Sequence, residues 1–133
     1  MAYWLLKTEP SVYSFEDLAR AGQTRWDGIT NPVALKYLRS AEPGDLAVIY
    51  HTGGEKRAIG VCELLTGAYP DPKNEKLPVV DVKAKEKLAR PVTLAELKAD
   101  PAFAESPLVR QGRLSFVPLT LPQWKRLQTL ARG

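Results

Sequence analysis

The sequence predicts an α+β fold in which five or so short strands form a small, strongly bent sheet or barrel, with short helices inserted between them. Three observations predict it. Apolar residues 45–52 and 58–65 flank the glycine-containing connection GGEKR, which is typical of an antiparallel hairpin. In residues 77–88, Val80 and Val82 alternate with polar neighbours, as in a half-buried strand. Capping signals recur along the chain and mark short helices.

Local patterns predict the remaining elements. Residues 2–8 and 113–119 are rich in aliphatic and aromatic side chains, which indicates a first and a last strand. Residues 69–78 are polar and contain several prolines, which indicates a loop. Each helix is predicted to follow an N-cap side chain: residues 15–20 after Ser14, 32–41 after Asn31, 94–99 after Thr93 and 121–130 after Thr120.

The length of the chain, 133 residues, predicts one domain over residues 1–133, because it suffices for a single well-buried core. A hydrophobic fraction of 44% and a charged fraction of 26% are typical of a globular protein. No apolar run approaches the roughly 18 residues of a membrane span, and the first residues lack the basic segment of a secretory signal. The single cysteine, Cys62, excludes an internal disulfide. These features predict a cytoplasmic protein.

Positive charge is concentrated in the second part of the chain. Residues 1–50 hold 5 basic and 6 acidic side chains, whereas residues 51–133 hold 14 basic and 9 acidic ones. This asymmetry suits a polyanionic partner such as a nucleic acid, because basic side chains release counterions from phosphates. An ordinary solvated surface accounts for it equally well.

Nucleophilic catalysis and metal binding find little support in the sequence. His51 is the only histidine and Cys62 the only thiol, and Cys62 lies within an apolar strand, where an inert packed thiol is the usual role. One histidine and one cysteine also leave only scattered carboxylates as metal ligands. The sequence therefore predicts neither a catalytic residue nor a cofactor.

The segment RWDGITNP, residues 25–32, is the best candidate for a binding pocket. Trp26 can supply a flat wall for stacking on a nucleobase, with Asp27 and Asn31 as polar groups that read its edge. Thr8 and Glu9, at the end of the first strand, offer further donors and acceptors, and the backbone near Gly28 is open to close approach. The same indole could instead plug one end of the barrel, and spacing alone favours neither role.

The chain resembles the EVE domain family. The resemblance rests on YWLLKTEP (3–10), YSFEDL (13–18), WDGITNPVALKYLR (26–39), GDLAVIYHTG (44–53), AIGVCEL (58–64) and QGRLSFVPLT (111–120), together with shorter matches at 68–71, 79–84 and 91–98. These stretches cover nearly the whole chain in order, and WLLKTEP with WDGITN is highly specific.

The resemblance implies a PUA-like β-barrel of about five to six strands with surrounding helices, similar to the YTH domain that reads a methylated adenosine. It also implies a non-catalytic reader of modified bases, notably 5-methylcytosine and its oxidised forms. The partner is then a nucleic acid carrying a modified base, DNA or RNA, and no cofactor is implied.

The resemblance also suggests where the pocket residues lie. It implies a wall at Trp26, a rim at Asp27, Gly28 and Asn31, and further contacts from Lys7, Thr8 and Glu9 and from Tyr50, His51 and Gly53. Outside the pocket, Lys56, Arg57, Arg110 and Arg113 could hold phosphates, or could be plain solvated surface. Tyr50 alternates with apolar residues and also fits a core position.

Two other functions stay open at this point. The same pocket could bind a free modified nucleoside or similar metabolite, with or without chemistry. Alternatively, the C-terminal helix around Trp124 could be a protein-interaction surface, although its apolar stripe also suits packing on the barrel. The reader hypothesis requires a solvent-open Trp26 indole at the mouth of a cavity.

Overall fold

The computed structural model describes all residues, 1–133, as a mixed α+β structure of seven strands and five helices. The strands are β1 (Tyr3–Thr8), β2 (Gln23–Trp26), β3 (Leu46–His51), β4 (Arg57–Leu64), β5 (Tyr69–Asp71), β6 (Asn74–Thr93) and β7 (Phe116–Leu119). The helices are α1 (Phe15–Ala21), α2 (Pro32–Arg39), α3 (Leu94–Ala99), α4 (Pro107–Arg110) and α5 (Leu121–Arg132), and a 3-10 turn spans Pro101–Phe103.

The strands form one sheet in the order β2-β6-β4-β3-β1-β7, with β5 paired to β6. The pair β1/β3 is parallel and every other pair is antiparallel. The two ends of this path, β2 and β7, are not hydrogen-bonded to each other. The predicted α+β class is therefore confirmed, whereas the sheet is not closed into a barrel. Helix α2 contacts both β6 and β7, which lie toward opposite ends of the strand order.

Most predicted elements are confirmed, and the differences lie at turns and edges. The predicted strand at 77–88 is part of the 20-residue β6, and the predicted loop at 69–78 is wrong because β5 pairs with β6 there. Arg25 and Trp26 belong to strand β2. The last strand begins at Phe116 rather than at residue 113.

The core packs helices α2 and α5 against the sheet. The apolar face predicted for α2 is buried, with Ala34, Leu35 and Leu38 at most 7% exposed. Trp124 of α5 is 9% exposed and stacks on Tyr3, with ring centroids 4.7 Å apart. The apolar stripe of α5 is thus packed in the core, which removes the reason to predict a protein-interaction surface at Trp124.

None of the helices has the length and apolar composition needed to cross a membrane.

An ion pair joins the end of β6 to helix α3. Arg90 donates to Glu96 at 3.0 and 2.6 Å, and Glu96 also accepts from the Thr93 backbone N–H at 3.1 Å in a capping box. These hydrogen bonds, first that with Arg90 and then that with Thr93, lower the pKa of Glu96 to about 2. The carboxylate is therefore stabilised in the folded state.

This ion pair predicts a defined loss of stability in acid. Because the folded pKa lies below the ordinary value of 4.5, the contribution of Glu96 is complete above that value and is lost as the pH falls toward about 2. We expect Glu96→Gln to unfold more easily than the parent at pH 7, with the difference closing below pH 4.5. Urea unfolding at several pH values measures it. A difference that stays constant down to pH 2 would contradict the assignment.

Candidate nucleobase-binding cavity

A cavity of about 430 Å³ opens between the end of β1, the loop before α1 and the end of β2; we call it the first cavity. This volume lies in the range of small-molecule sites. Nine residues line it: Lys7, Thr8, Val12, Tyr13, Thr24, Arg25, Trp26, Asp27 and Gly28.

The loop between β1 and α1 is held by its own hydrogen bonds. The Thr8 hydroxyl donates to the Tyr13 carbonyl at 2.6 Å, and the backbone N–H groups of Val12 and Tyr13 donate to the Glu9 carbonyl at 2.9 Å. The Glu9 carboxylate accepts from the backbone and hydroxyl of Ser11. These bonds place the Tyr13 ring beside the strand end, and Ser14 then caps α1.

Trp26 forms a buried wall of the first cavity. Its side chain is 7% exposed and belongs to the core, so the prediction of an indole open to solvent is wrong. Burial follows from pairing with β6 and from the Tyr13 ring, which meets the indole edge to face at 6.0 Å and 82°. The two rings are perpendicular and form a corner of the cavity, so Trp26 both packs in the core and lines a hollow.

Charged groups surround the mouth. Asp27 is exposed and makes no hydrogen bond within the protein. Lys7 is half-buried and donates to the Gly112 carbonyl at 2.9 Å, and its burial lowers the pKa of its ammonium group. Arg25 is exposed, and its Nε donates to the Tyr69 hydroxyl at 3.2 Å. The rim therefore offers one acceptor carboxylate and two cationic donors.

Gly28 and Asn31, the other two residues predicted at the rim, differ in position. Gly28 lines the cavity with φ at +84°, a conformation that favours glycine. The side-chain oxygen of Asn31 instead accepts from the backbone N–H groups of Val33 and Ala34, at 2.8 and 3.2 Å, and caps α2. Asn31 does not line the cavity.

His51 does not line the first cavity and is 4% exposed. Its Nε2 accepts from the Phe15 backbone N–H at 3.0 Å, so Nδ1 carries the proton and donates to Glu55 at 2.9 Å. This hydrogen bond lowers the pKa of Glu55. Nε2 thus holds the hairpin against the start of α1, and Nδ1 ties the strand end to the hairpin turn.

Glu9 and Gly53 meet each other beside the strand end. A Cβ atom at Gly53 would lie 2.6 Å from Glu9 Oε2, and the glycine has φ at +70°. Neither residue lines the first cavity. Their close approach explains the glycine at this position of the hairpin, because any larger side chain would displace the carboxylate.

A second cavity, of about 210 Å³, lies on the other side of Lys7. It is lined by Lys7, Tyr50, Thr52, Gly53, Lys56, Leu94, Lys98, Leu108, Val109 and Gly112. Tyr50 is 3% exposed, so its ring is part of the core, as its alternation with apolar residues suggested.

The arginines predicted to hold phosphates are exposed, and two of them are paired. Arg57 donates to Glu55 at 3.3 Å, and Arg110 donates to Glu105 at 2.9 Å. Arg113 makes no ion pair, and none of the three lines either cavity. No group of three histidine, cysteine or carboxylate side chains lies close enough to hold a metal ion.

Comparison with known families identifies the chain. The family model described as the EVE domain matches residues 2–130. The chain belongs to the EVE domain family. Human thymocyte nuclear protein 1 is 30% identical to it, in an alignment covering 90% of this chain and 69% of the human one.

Solved structures share the same fold over nearly their whole length. The NMR structure of a protein from Rhodopseudomonas palustris superposes with a TM-score of 0.93 at 38% identity, covering 99% of this chain and 94% of that one. The crystal structure of the human THYN1 protein in complex with DNA containing 5-methylcytosine superposes with a TM-score of 0.90 at 27% identity, covering 100% of this chain and 99% of that one.

Four residues that line the first cavity of this EVE domain were not predicted from the sequence: Val12, Tyr13, Thr24 and Arg25. Tyr13 directly precedes the N-cap Ser14, so its place at the start of α1 could have signalled a fixed position beside the first strand. Val12 is 80% exposed, but this exposure follows from the conformation of the folded loop and could not be predicted from the sequence.

Proposed function

We propose that this EVE domain binds DNA by holding one modified cytosine in the first cavity, without acting on it chemically. The observation that carries the proposal is the match over 99% of the crystallised chain of human THYN1 in complex with DNA containing 5-methylcytosine. The first cavity supplies the second element, because it joins an aromatic wall to a charged rim.

The chemistry of cytosine suits the groups of the first cavity. The base presents an amino group that donates and ring atoms that accept hydrogen bonds. The Asp27 carboxylate can accept from the amino group, while Lys7 and Arg25 can donate to the acceptors. The apolar surfaces of Trp26 and Val12 offer contacts for the ring and for a methyl substituent.

A base in a duplex has to leave the stack before it can enter such a cavity. Extrusion costs a few kcal/mol, which the new contacts must offset. Stacking against an aromatic side chain returns roughly 1–3 kcal/mol per base. Since the Trp26 side chain is already packed in the core, it needs no ordering on binding, which favours affinity.

The absence of catalysis is part of the proposal. Burial raises the pKa of the Cys62 thiol to about 12, so a thiolate is inaccessible near neutral pH. Both nitrogens of His51 are engaged in structural hydrogen bonds. The one thiol and the one histidine are therefore poorly placed for a nucleophile and its base.

The polymer and the compartment remain predictions. We take DNA as the partner because the human complex contains DNA, and RNA stays the competing polymer. The PUA-like superfamily rests on the resemblance alone and the cytoplasmic location on the composition, whereas the vertebrate relatives are named as nuclear proteins.

A binding panel tests the proposed function. Short DNA and RNA strands that differ only in one central base (cytosine, 5-methylcytosine, an oxidised 5-methylcytosine or N6-methyladenine) are titrated, together with the free nucleosides. We expect DNA with a modified cytosine to bind at least tenfold more tightly than the unmodified strand. Equal affinity across the panel would overturn the proposal, and salt-independent binding of the free nucleoside alone would favour a metabolite site.

Asp27→Ala should weaken this binding without loss of stability. A hydrogen bond to a charged group contributes roughly 1.5–3 kcal/mol, so we expect an affinity loss of tenfold or more. Because Asp27 is exposed and unpaired, the unfolding free energy should change by less than about 0.5 kcal/mol. Glu86→Ala is the matched control, because Glu86 carries an exposed carboxylate that lines neither cavity. If Asp27→Ala bound the modified strand as tightly as Glu86→Ala does, the Asp27 carboxylate would not be an acceptor for the base.

A further inference from the structure

The second cavity is lined by three lysines and by no acidic side chain. Lys7, Lys56 and Lys98 contribute the ammonium groups, and Leu94, Leu108 and Val109 contribute apolar walls. Lys56 and Lys98 are exposed, and neither forms an ion pair. Two carboxylates lie near the cavity without lining it. Glu55 pairs with Arg57 and accepts from His51, whereas Glu9 accepts from Ser11 through Oε1 and places Oε2 beside Gly53.

Tyr50 supplies a polar atom to this cavity. The residue is 3% exposed, and its hydroxyl makes no hydrogen bond within the protein. The only fully buried side-chain atoms without a partner are Arg90 Nε and Gln128 Nε2, so the Tyr50 hydroxyl lies in the small accessible part of the side chain. Burial raises the pKa of Tyr50, which keeps the hydroxyl protonated and able to donate.

The backbone at Lys56 has an unusual conformation. Its φ is +47°, and it is the only non-glycine residue with a positive φ in the structure. The Lys56 carbonyl accepts from the Leu94 backbone N–H at 2.8 Å, which ties the hairpin to the start of α3. A glycine would adopt this conformation more easily, so the lysine side chain is placed at the cavity despite the backbone cost.

We propose that the second cavity binds a phosphate group, with Lys56, Lys98 and Lys7 as cations and the Tyr50 hydroxyl as a neutral donor. Lys7 donates one hydrogen bond to Gly112, which leaves two of its three donors free. Several donors that line one cavity, with no carboxylate in its lining, suit an anion with several acceptor oxygens. An apolar wall on one side strengthens these contacts by excluding water.

The position of Lys7 connects this inference to the proposed function, on which it rests. Lys7 lines both cavities, so the phosphate site adjoins the base site across one side chain. The phosphate is then a backbone group of the same strand that places its base in the first cavity. Contacts of this kind orient a strand but carry no sequence information.

The test measures the salt dependence of DNA binding by Lys56→Gln/Lys98→Gln. We expect an affinity loss of about tenfold and a decrease of about one in the slope of log K against log salt, with the preference for the modified base unchanged. Lys73→Gln/Lys83→Gln replaces two exposed lysines that line neither cavity, so it controls for the loss of two charges. A slope equal to that of this control would overturn a strand phosphate in the cavity, whatever the base preference.

Two further variants separate ligand binding from folding. Lys56→Gly removes the charge while relieving the backbone, so we expect equal or higher stability with lower affinity. Tyr50→Phe deletes only the hydroxyl and should weaken binding several-fold, whereas Tyr37→Phe should not. Wild-type affinity in Tyr50→Phe would overturn the role of the hydroxyl.

Inorganic phosphate titrated alone distinguishes the source of the ligand. We expect amide signals of residues around Lys56 and Lys98 to shift at millimolar phosphate and to shift less in the double variant. Shifts with phosphate but an unchanged DNA slope would assign the cavity to a free phosphate or mononucleotide. No shift together with an unchanged slope would overturn the phosphate site, while the base preference still tests the first cavity.

Discussion

Trp26→Ala should lower the free energy of unfolding by about 3–5 kcal/mol and remove selective binding of the modified base. The stability loss follows because the indole is 7% exposed and packs in the core. The binding loss follows because the same ring lines the first cavity, where stacking contributes roughly 1–3 kcal/mol. Urea unfolding gives the first quantity, and titration at a temperature where the variant is folded gives the second.

Milder variants keep the two effects apart. Trp26→Phe retains an aromatic ring and should fold, with an affinity loss of several-fold. Trp124→Phe is a matched control, since Trp124 is also nearly buried and stacks on Tyr3 but lines neither the first nor the second cavity. If Trp26→Phe and Trp124→Phe bound the modified strand equally and as tightly as the parent, Trp26 would have no part in recognition.

Gly60→Ala should destabilise the fold by about 3 kcal/mol, the upper end of the range for overpacking a core. A Cβ atom at Gly60 would overlap the Phe15 ring, with Phe15 Cδ1 at 2.7 Å. Phe15 cannot yield freely, because its ring is buried and its backbone N–H donates to His51 Nε2. Thermal and urea unfolding of the purified variant measure the loss.

Gly54→Ala is the control for this substitution. No atom lies within 4 Å of a Cβ built at Gly54, so its effect should stay within about 0.5 kcal/mol. Combining Gly60→Ala with Phe15→Leu should cost less than the sum of the single losses, because the smaller side chain makes room for the methyl group. Additive losses would show that Gly60 is required for a reason other than the Phe15 ring.

The sequence predicted the elements well where the pattern is local. Asn31 and Thr93 carry cap chemistry that the structure confirms, and the hairpin of β3 and β4 follows from two apolar segments around glycines. The sequence left a bent sheet and a barrel open, because closure depends on how far β6 runs and on where α2 packs. Neither property is visible in a window of ten residues.

The site was harder to predict for a physical reason. A side-chain oxygen such as that of Asn31 can accept from a ligand or from a helix N-terminus, and both roles need the same residue type. The resemblance placed His51 in the pocket, on the strand face opposite to Tyr50, but β3 lies inside the sheet with both faces covered, so both side chains are buried. Alternation separates core from solvent only where one face of a strand is open.

The second cavity was beyond prediction because its walls come from distant parts of the chain. Lys7, Lys56, Lys98 and Gly112 meet only after α3 and the following turns pack beside the end of β1. Lys56 was predicted as a phosphate contact from charge and position in the hairpin, but nothing local indicated Lys98. Contacts between residues so far apart depend on tertiary packing rather than on local pattern.

The most direct test of the central claim is an NMR measurement on a DNA strand with one 5-methylcytosine labelled with carbon-13 at the methyl group. If the base enters the first cavity, the methyl protons will show nuclear Overhauser contacts to the ring protons of Trp26 or Tyr13, and these will vanish with an unmethylated strand. Contacts confined to neighbouring bases in a saturated complex would mean that the base stays stacked in the DNA, and the cavity would then have no role in reading it.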